Sequence, residues 1–294
     1  MSGDLNSLND NNVDMKGRVC LVTGGNSGIG KATALGLAKL DATVVIVSRD
    51  KDKGEAALLE IRTRSGNKDV DAMVCDLSSQ DSVRELAHDF RARYKRLHVL
   101  INNAGIFLPK RVVTVDGLEA TFATNHLGHF LLTNLLLDLL KANAPSRIIN
   151  ITSSAHYNTE MDWDDLQGEK KYSSYHAYSQ SKLANVLFTY QLAKTLEVTS
   201  VTANCLHPGV VRTGFGKDQG GLMNILVRIG SPFMISPEKS ARAAIYLATS
   251  PELEKVTGRF YSKGKEAKSS KESYDIDSAQ RLWKVSAELK KLGS

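Results

Sequence analysis

Residues 18–30, RVCLVTGGNSGIG, decide the fold of this 294-residue chain. The apolar and β-branched run from Arg18 to Thr23 predicts a strand, and the residues from Gly28 to Leu40 predict a helix directly after it. Glycines in the connecting loop permit backbone angles closed to other residues and let the chain approach a pyrophosphate closely. The helix N-terminus adds free N–H groups and the positive end of its dipole. The stretch therefore predicts a cradle for a dinucleotide.

The glycine spacing is Gly24-x-x-x-Gly28-x-Gly30, which differs from the G-x-G-x-x-G pattern of the usual dinucleotide fold. A helix cap with a tight turn would also explain it, but its place at the first strand–helix junction favours a cofactor site. Because Ser27 is followed at once by Gly28, the nucleophile elbow G-x-S-x-G is not met, and no Walker-type Gly-Lys-Ser/Thr is present. The expected cofactor contacts in the loop are Gly24, Asn26, Ser27, Gly28, Ile29 and Gly30.

From Arg18 onward, short Val/Ile/Leu runs alternate with helical patterns, which is typical of βαβ units. We predict an α/β, Rossmann-like, doubly wound parallel sheet of about seven strands, with helices on both faces, in a single domain. A polar leader (1–15), a catalytic domain (16–262) and a C-terminal extension (263–294) are expected. The predicted strands are 18–23, 42–48, 70–75, 97–102, 147–152, 201–206 and 258–261, and the predicted helices include 28–40, 52–64, 79–94, 117–141 and 176–197.

Two longer segments interrupt the alternation, at residues 155–174 and 214–236. Long loops in compact domains tend to be functional. The second segment has an apolar middle from Leu222 to Ile229. A surface helix packed on the core and a mobile lid over an apolar substrate both fit this pattern, and the lid is the preferred interpretation.

Composition is that of an ordinary soluble protein, with 42% hydrophobic and 24% charged residues. No run approaches the roughly 20 apolar residues of a membrane helix, and Met1 to Asp14 is polar. Cys20, Cys75 and Cys205 each lie in or beside an apolar run, which suggests buried thiols in a reducing compartment. We therefore expect a cytoplasmic protein without an integral membrane segment.

The formal net charge is +6, but lysines and arginines are dispersed among acidic residues and no aromatic stacking platform accompanies them. This pattern argues against a nucleic-acid partner. The excess positive charge can still help to attract an anionic cofactor.

The end of the second predicted strand reads Ser48-Arg49-Asp50. NAD-binding units place an acidic side chain there for the ribose hydroxyls. Position 48 lacks a carboxylate, and Arg49 could pair with a 2′-phosphate through a charge-assisted fork. The sequence therefore favours NADP(H) over NAD(H), although Asp50 would restore the acid if the strand ended two residues later.

Tyr178 and Lys182 lie four residues apart on a predicted helix, so they share one face. A phenol with a pKa of about 10 is a poor base at neutral pH, and lowering its pKa by about 3 units requires about 4 kcal/mol of phenolate stabilisation. A neighbouring lysine supplies positive charge for this purpose. Ser153, at the end of the strand 147–152, can hydrogen-bond a substrate oxygen, and Ser154 is its competitor.

Further motifs accompany these residues along the chain. They are TGGNSGIG at 23–30, Asp76-Leu77, Asn102-Asn103-Ala104-Gly105, Asn125, Ser153, Tyr178 with Lys182, and Pro208-Gly209. In this order and spacing, over about Lys16 to Tyr261, they resemble the short-chain dehydrogenase/reductase family. The set as a whole is very specific.

The resemblance implies a role for each matched residue. Tyr178 is the expected general acid/base, Lys182 lowers its pKa and binds the nicotinamide ribose, Ser153 orients the substrate carbonyl, and Asn125 holds a water in a proton relay. Asp76 and Leu77 would contact the adenine. Asn103, Ala104 and Gly105 would line the cofactor, and Pro208, Gly209, Val211 and Thr213 would border the nicotinamide.

Within that family, the chain looks most like the retinol dehydrogenase branch, on the stretches TNHLGHF (124–130), DLQGE (165–169) and SKLAN (181–185). Many members of that branch have an N-terminal membrane anchor, whereas the leader here is polar. The resemblance also implies that helices 117–141 and 176–197 form a homo-oligomer interface, and core packing explains their apolar stretches equally well. His126 and His129 are a pair without a nearby cluster of ligands, so structural roles are expected and no metal.

The function predicted from the sequence is hydride transfer between NADP(H) and an aldehyde or ketone, of the carbonyl reductase type, with the reverse oxidation equally allowed. The substrate is expected to be a lipophilic, retinal-like small molecule or one of a broad range. The alternative is a non-catalytic regulator that senses NADP(H) with the same fold. Retention of the Ser, Tyr, Lys and Asn set argues against that alternative.

Overall fold

Strand β1 (Val19–Thr23) lies inside the sheet with both faces covered. The computed structural model describes residues 13–209 and 235–291, and all five residues of β1 are buried in it. Since successive side chains of a strand point to opposite faces, Val19 and Leu21 join one apolar cluster while Cys20 and Val22 join another. An unbroken apolar run is what such a doubly covered strand needs.

Eight strands form one sheet in the order β3-β2-β1-β4-β5-β6-β7-β8. The first seven are parallel, which confirms the predicted doubly wound sheet. The strands after β1 are β2 (Thr43–Ser48), β3 (Val70–Val74), β4 (Val99–Asn102), β5 (Ser146–Ile151), β6 (Val201–His207), β7 (Phe260–Ser262) and β8 (Lys265–Ala267).

Strand β8 is an addition to the predicted set. It pairs antiparallel with β7 through a two-residue turn, Lys263-Gly264. Both turn residues have positive φ, 53° and 84°, as a turn that follows the twist of a hairpin requires. The hairpin extends the sheet beyond the boundary predicted at residue 262.

Helices cover both faces of the sheet. Helices α1 (Gly28–Ala38), α2 (Lys51–Ser65) and α6 (Pro237–Thr249) pack on the cluster that contains Cys20 and Val22. Helices α3 (Gln80–Arg93), α4 (Gly128–Ala142) and α5 (Ser174–Thr195) pack on the cluster that contains Leu21. No helix in the two described ranges combines the length and apolar character needed to cross a membrane.

The approach to α4 differs from the continuous helix predicted from Gly117. Gly117 has φ 76° and belongs to a turn, because Val113 forms a bridge with Glu119. The Glu119 carboxylate accepts hydrogen bonds from Thr121 N and Phe122 N, so it caps a short turn at Ala120–Phe122. A π-helical turn, Ala123–Leu127, then leads into α4. Asn125 lies inside this π turn.

A last helix, α7 (Ile276–Leu289), packs on α4 and α5. Its Trp283 ring lies 5.1 Å from Phe130 and 5.8 Å from Phe188, measured between centroids. Ser286 Oγ lies 2.9 Å from Nε2 of His126. The stretch after Ser262 thus contributes to the core next to the π turn.

Leu100 gives a direct test of the central packing. Its side chain is fully buried in β4, between Leu21 and Ile148 on the neighbouring strands. Leu100→Ala removes methyl groups and leaves a cavity, so the free energy of unfolding should fall by about 2–5 kcal/mol. Leu59→Ala, at a leucine 63% exposed on α2, should change it by less than about 0.5 kcal/mol. Equal losses in urea unfolding would contradict this packing.

Candidate active site

A cleft of about 720 Å³ opens at the carboxyl ends of the parallel strands. This is where a doubly wound sheet holds its ligands. Most of the predicted site residues line it: Gly24, Asn26, Ser27, Gly28, Ile29, Ser48, Arg49, Asp76, Leu77, Asn103, Ala104, Gly105, Ser153, Tyr178, Lys182, Pro208 and Gly209. Val211, Thr213 and the apolar segment from Leu222 to Ile229 lie outside the described residues.

The glycine-rich loop brings the N-terminus of α1 to the floor of the cleft. Gly24 and Gly28 have φ 66° and 53°, a region that favours glycine. Gly30 does not line the cleft; a Cβ there would lie 2.3 Å from Gly24 O, so only hydrogen fits. Ser27 does not cap α1 with its side chain, and the first turn of α1 has no acidic residue. The positive end of the helix therefore suits an anionic pyrophosphate.

Thr23, at the end of β1, ties this loop to the next strand, and the sequence analysis did not single it out. Its hydroxyl oxygen accepts hydrogen bonds from Asn103 N at 2.8 Å and Ala104 N at 3.1 Å. The side-chain amide of Asn103 in turn donates to the backbone oxygen of Thr23 at 2.8 Å. Two walls of the cleft are thus joined by a buried threonine. A threonine that closes an apolar strand was the available signal.

The end of β2 shows what the Asp50 side chain contacts. Asp50 is the N-cap of α2, and its Oδ1 accepts a hydrogen bond from Lys53 N at 3.0 Å. This bond, together with Lys53 Nζ at 3.3 Å from Oδ2, holds the pKa of Asp50 below its usual range. The carboxylate is therefore engaged by α2. Ser48, Arg49, Asp50 and Lys53 line the adjoining part of the cleft. An aspartate three residues before Lys53 at a helix start was the signal for the cap.

Tyr178, Ser153 and Lys182 meet in the cleft. Tyr178 and Lys182 are one turn apart on α5, and Lys182 Nζ lies 5.6 Å from the centre of the Tyr178 ring. The Tyr178 hydroxyl is hydrogen-bonded to the Ser153 side chain. Ser154 instead donates its backbone N–H to Nδ1 of His207 at 3.2 Å. Of the two serines, Ser153 is the one that contacts the phenol.

Burial controls the charges of this group. It raises the pKa of Tyr178, while the hydrogen bond from Ser153 lowers it. It also lowers the pKa of Lys182 to about 8, and Lys182 Nζ donates to Ile151 O at 3.3 Å. Without further positive charge the phenol is therefore protonated at neutral pH, which suits a proton donor.

Asn125 lies behind the cleft wall. Its side chain accepts from Ile106 N at 2.7 Å and donates to Ile106 O at 3.0 Å and Ser181 Oγ at 3.0 Å. A Cβ on Gly105 would lie 3.4 Å from both Asn125 Oδ1 and Lys182 Nζ. The absence of a side chain at Gly105 therefore lets both groups approach the backbone closely. Asn125 and Lys182 thus both lie next to the backbone of Gly105.

The fold and the cleft together are those of an oxidoreductase that uses a nicotinamide cofactor. Residues 18–221 match the model of the short chain dehydrogenase family. The chain is 45% identical to Retinol dehydrogenase 12 of Mus musculus over 95% of this chain and 88% of that protein. It is also 45% identical to human Retinol dehydrogenase 13, over 93% and 84%. The chain belongs to the short-chain dehydrogenase family, whose members bind NAD(P) and act on CH–OH donors.

Solved structures agree with this assignment. An uncharacterized protein from Mycobacterium Paratuberculosis has a TM-score of 0.77 at 35% identity, with 95% of each chain covered. The RhlG/NADP active-site complex of Pseudomonas aeruginosa has a TM-score of 0.70 at 29% identity, over 85% of this chain and 96% of that one. Both show the same fold.

The close approach at Gly30 predicts the effect of one methyl group. Gly30→Ala would drive its Cβ against Gly24 O and the side-chain amide of Asn103, and since Gly24 O is a backbone atom, the loop must move. We expect the Kd for NAD(P)H, measured by fluorescence titration, to rise by more than about tenfold, because the N–H groups of the cradle would no longer point at the pyrophosphate. Ala32→Ser, two residues along α1, should leave the Kd unchanged. Equal affinities of the two variants would contradict this account of the loop.

Proposed function

We propose that this enzyme transfers a hydride between NADP(H) and the carbonyl carbon of a lipophilic aldehyde or ketone, with Tyr178 as the general acid/base. The observation that carries the proposal is the meeting of Tyr178, Ser153 and Lys182 at the mouth of a nucleotide-sized cleft. The alternative of a non-catalytic sensor has no observation in its favour.

The choice of NADP(H) rests on charge at the end of β2. Arg49 and Asp50 are both exposed there and, with Lys53, line the cleft, while the Asp50 carboxylate also caps α2. A guanidinium and an ammonium next to a carboxylate that already accepts from Lys53 N favour a 2′-phosphate over free ribose hydroxyls. The RhlG structure, a relative of 29% identity, is itself an NADP complex.

The bound nicotinamide supplies the hydride in the reducing direction. Two residues of this chain act on the carbonyl oxygen of the substrate. The Ser153 hydroxyl donates a hydrogen bond to that oxygen, and the Tyr178 hydroxyl transfers its proton to it. One hydride at carbon and one proton at oxygen convert the carbonyl to the alcohol. The phenolate left on Tyr178 is stabilised by positive charge on Lys182. Because burial raises the pKa of Tyr178, the phenol starts protonated and suits reduction.

A lipophilic substrate is supported by the wall next to Tyr178. The ring of Phe107 packs against Tyr178 with its centroid 5.5 Å away, and Ile106 lines the same side. Relatives at 42–45% identity are retinol dehydrogenases. We propose a retinal-like carbonyl or a broad range of lipophilic ones.

A cytoplasmic location remains a proposal, supported by the three cysteines. Cys20, Cys75 and Cys205 are buried free thiols, and burial raises the pKa of each to about 12. Such thiols are inert apolar packing groups, as is usual in a reducing compartment.

Tyr178→Phe tests the proton transfer. Removing the hydroxyl deletes the acid, so kcat for carbonyl reduction should fall by about 10²–10⁴. The Kd for NADPH should stay within about threefold, because the ring remains. The matched control is Tyr175→Phe, one turn earlier on α5, where the side chain is 55% exposed; it should keep wild-type kcat. Undiminished turnover in Tyr178→Phe would end the proposal, and tight NADPH binding by a wild type that reduces no carbonyl would favour the sensor.

Arg49→Gln tests the cofactor preference. Loss of the guanidinium should raise the Kd for NADPH by about tenfold or more, while the Kd for NADH should stay unchanged, because only NADPH carries the 2′-phosphate. Lys51→Gln removes an exposed cation that pairs with Glu55, and it should leave the ratio of the two affinities alone. If both variants shift the ratio equally, net charge rather than Arg49 decides the preference.

A further inference from the structure

The backbone carbonyl of Asn125 is held by two buried side chains. Its oxygen accepts hydrogen bonds from Nδ1 of His129 and from Nδ2 of Asn185, each at 3.0 Å. All three residues are buried. Neither His129 nor Asn185 lines the cleft, and neither has a part in the proton transfer proposed above. His129 belongs to the TNHLGHF stretch and Asn185 to the SKLAN stretch.

The partners of His129 define its protonation. A carbonyl oxygen can only accept, so Nδ1 carries the hydrogen. Nε2 lies 2.9 Å from the Thr23 hydroxyl, which already accepts from Asn103 N and Ala104 N. The Thr23 hydroxyl has two acceptors within reach of its single hydrogen, His129 Nε2 at 2.9 Å and Ile101 O at 3.3 Å. Since Nε2 carries no hydrogen, the shorter of these contacts requires Thr23 to donate to it. Burial lowers the pKa of His129 to about 4, so the ring stays neutral at working pH.

One imidazole thereby joins the two halves of the site. One nitrogen holds the Asn125 carbonyl in the π turn, whose side chain supports the Ile106 backbone. The other nitrogen holds the Thr23 hydroxyl, which supports the Asn103 and Ala104 backbone of the cofactor cradle. The Asn125 side chain also donates to Ser181 Oγ on α5, the helix that carries Tyr178. The separation of the two halves therefore bears on the distance between the hydride donor and the proton donor.

We propose that His129 is a positioning residue for the reaction: its neutral ring sets the separation between the cofactor cradle and the wall that carries Asn125. The proposal rests on the proposed function. A displacement of about 1 Å at a reacting centre can cost about a hundredfold in rate. A histidine with a purely structural role would affect stability alone.

Asn and Gln can each replace half of the ring. An asparagine amide reaches the position of Nδ1 and can donate to Asn125 O, whereas a glutamine amide reaches the position of Nε2 and can accept from Thr23. The set of variants is therefore His129→Leu, His129→Asn and His129→Gln. The folded fraction and Tm of each are measured by circular dichroism, and rates are taken well below the lowest Tm.

The matched control is His98→Leu. His98 is also a buried histidine bonded to β1, and its Nδ1 accepts from Val19 N at 2.9 Å at the opposite end of that strand. Burial lowers its pKa to about 4 as well. His98→Leu thus removes a similar buried bond away from the cleft, and it should lower Tm without changing kcat per folded molecule.

For carbonyl reduction, His129→Leu should lower kcat per folded molecule by about 10–100-fold, with the carbonyl KM within about threefold. His129→Asn should recover most of kcat but bind NADPH more weakly than wild type. His129→Gln should recover NADPH affinity but little of kcat. If kcat per folded molecule is the same in His129→Leu as in His98→Leu, His129 only stabilises the fold and the proposal is wrong.

Failure of the proposed function would be visible separately, as a wild type that reduces no carbonyl. The Thr23 half of the link is then tested by NADPH binding alone. Weaker binding in His129→Leu that is restored in His129→Gln supports the link. Unchanged binding in both variants overturns it.

Discussion

The contact between Gly30 and the carbonyl of Gly24 is the constraint on which the site depends. Only a residue without a Cβ lets α1 start so close to the end of β1. That closeness aims the amides of the first helical turn at the cleft. Thr23, one residue before the loop, then fixes the Asn103–Ala104 backbone of β4's exit through its hydroxyl. The first strand–helix junction therefore shapes both the floor and one wall of the cofactor site.

Several polar side chains are buried in the core directly behind the cleft. Lys182, His126, His129 and Asn185 are all buried, although burying such groups costs free energy unless each finds a partner. Each has at least one: Lys182 donates to Ile151 O, and Asn185 donates to Asn125 O. Burial also keeps both histidines neutral, so the only cation of this group is Lys182. The chain thus accepts polar packing in the part of the core next to Tyr178.

The features of the fold that could be predicted from the sequence are those set by residues close together in the chain. The parallel strands and the glycine loop follow from local patterns, and the predicted strand positions agree with the structure to within about two residues because apolar runs end where the sheet ends. The π turn at Ala123–Leu127 was missed because its apolar residues continue the helical pattern on either side. The role of Asp50 depended on where α2 begins, and β8 depended on pairing with β7. Strand register already favoured Ser153 over Ser154, and Ser153 is the serine that contacts the phenol. Thr23 and His129 act through partners about 80 and 106 positions away, which local patterns cannot show.

The contacts of α7 have a consequence for how the chain folds during its synthesis. Ser286 bonds His126, His126 bonds Asn185, and Asn185 holds the carbonyl of the asparagine in the π turn. Because translation starts at the N-terminus, the residues of the nucleotide cradle are synthesised before α7, and domains begin to fold as they emerge. A nascent chain still within the ribosome can form the glycine cradle without the support behind Asn125. The support behind Asn125 is therefore completed only after the residues of α7 have been synthesised.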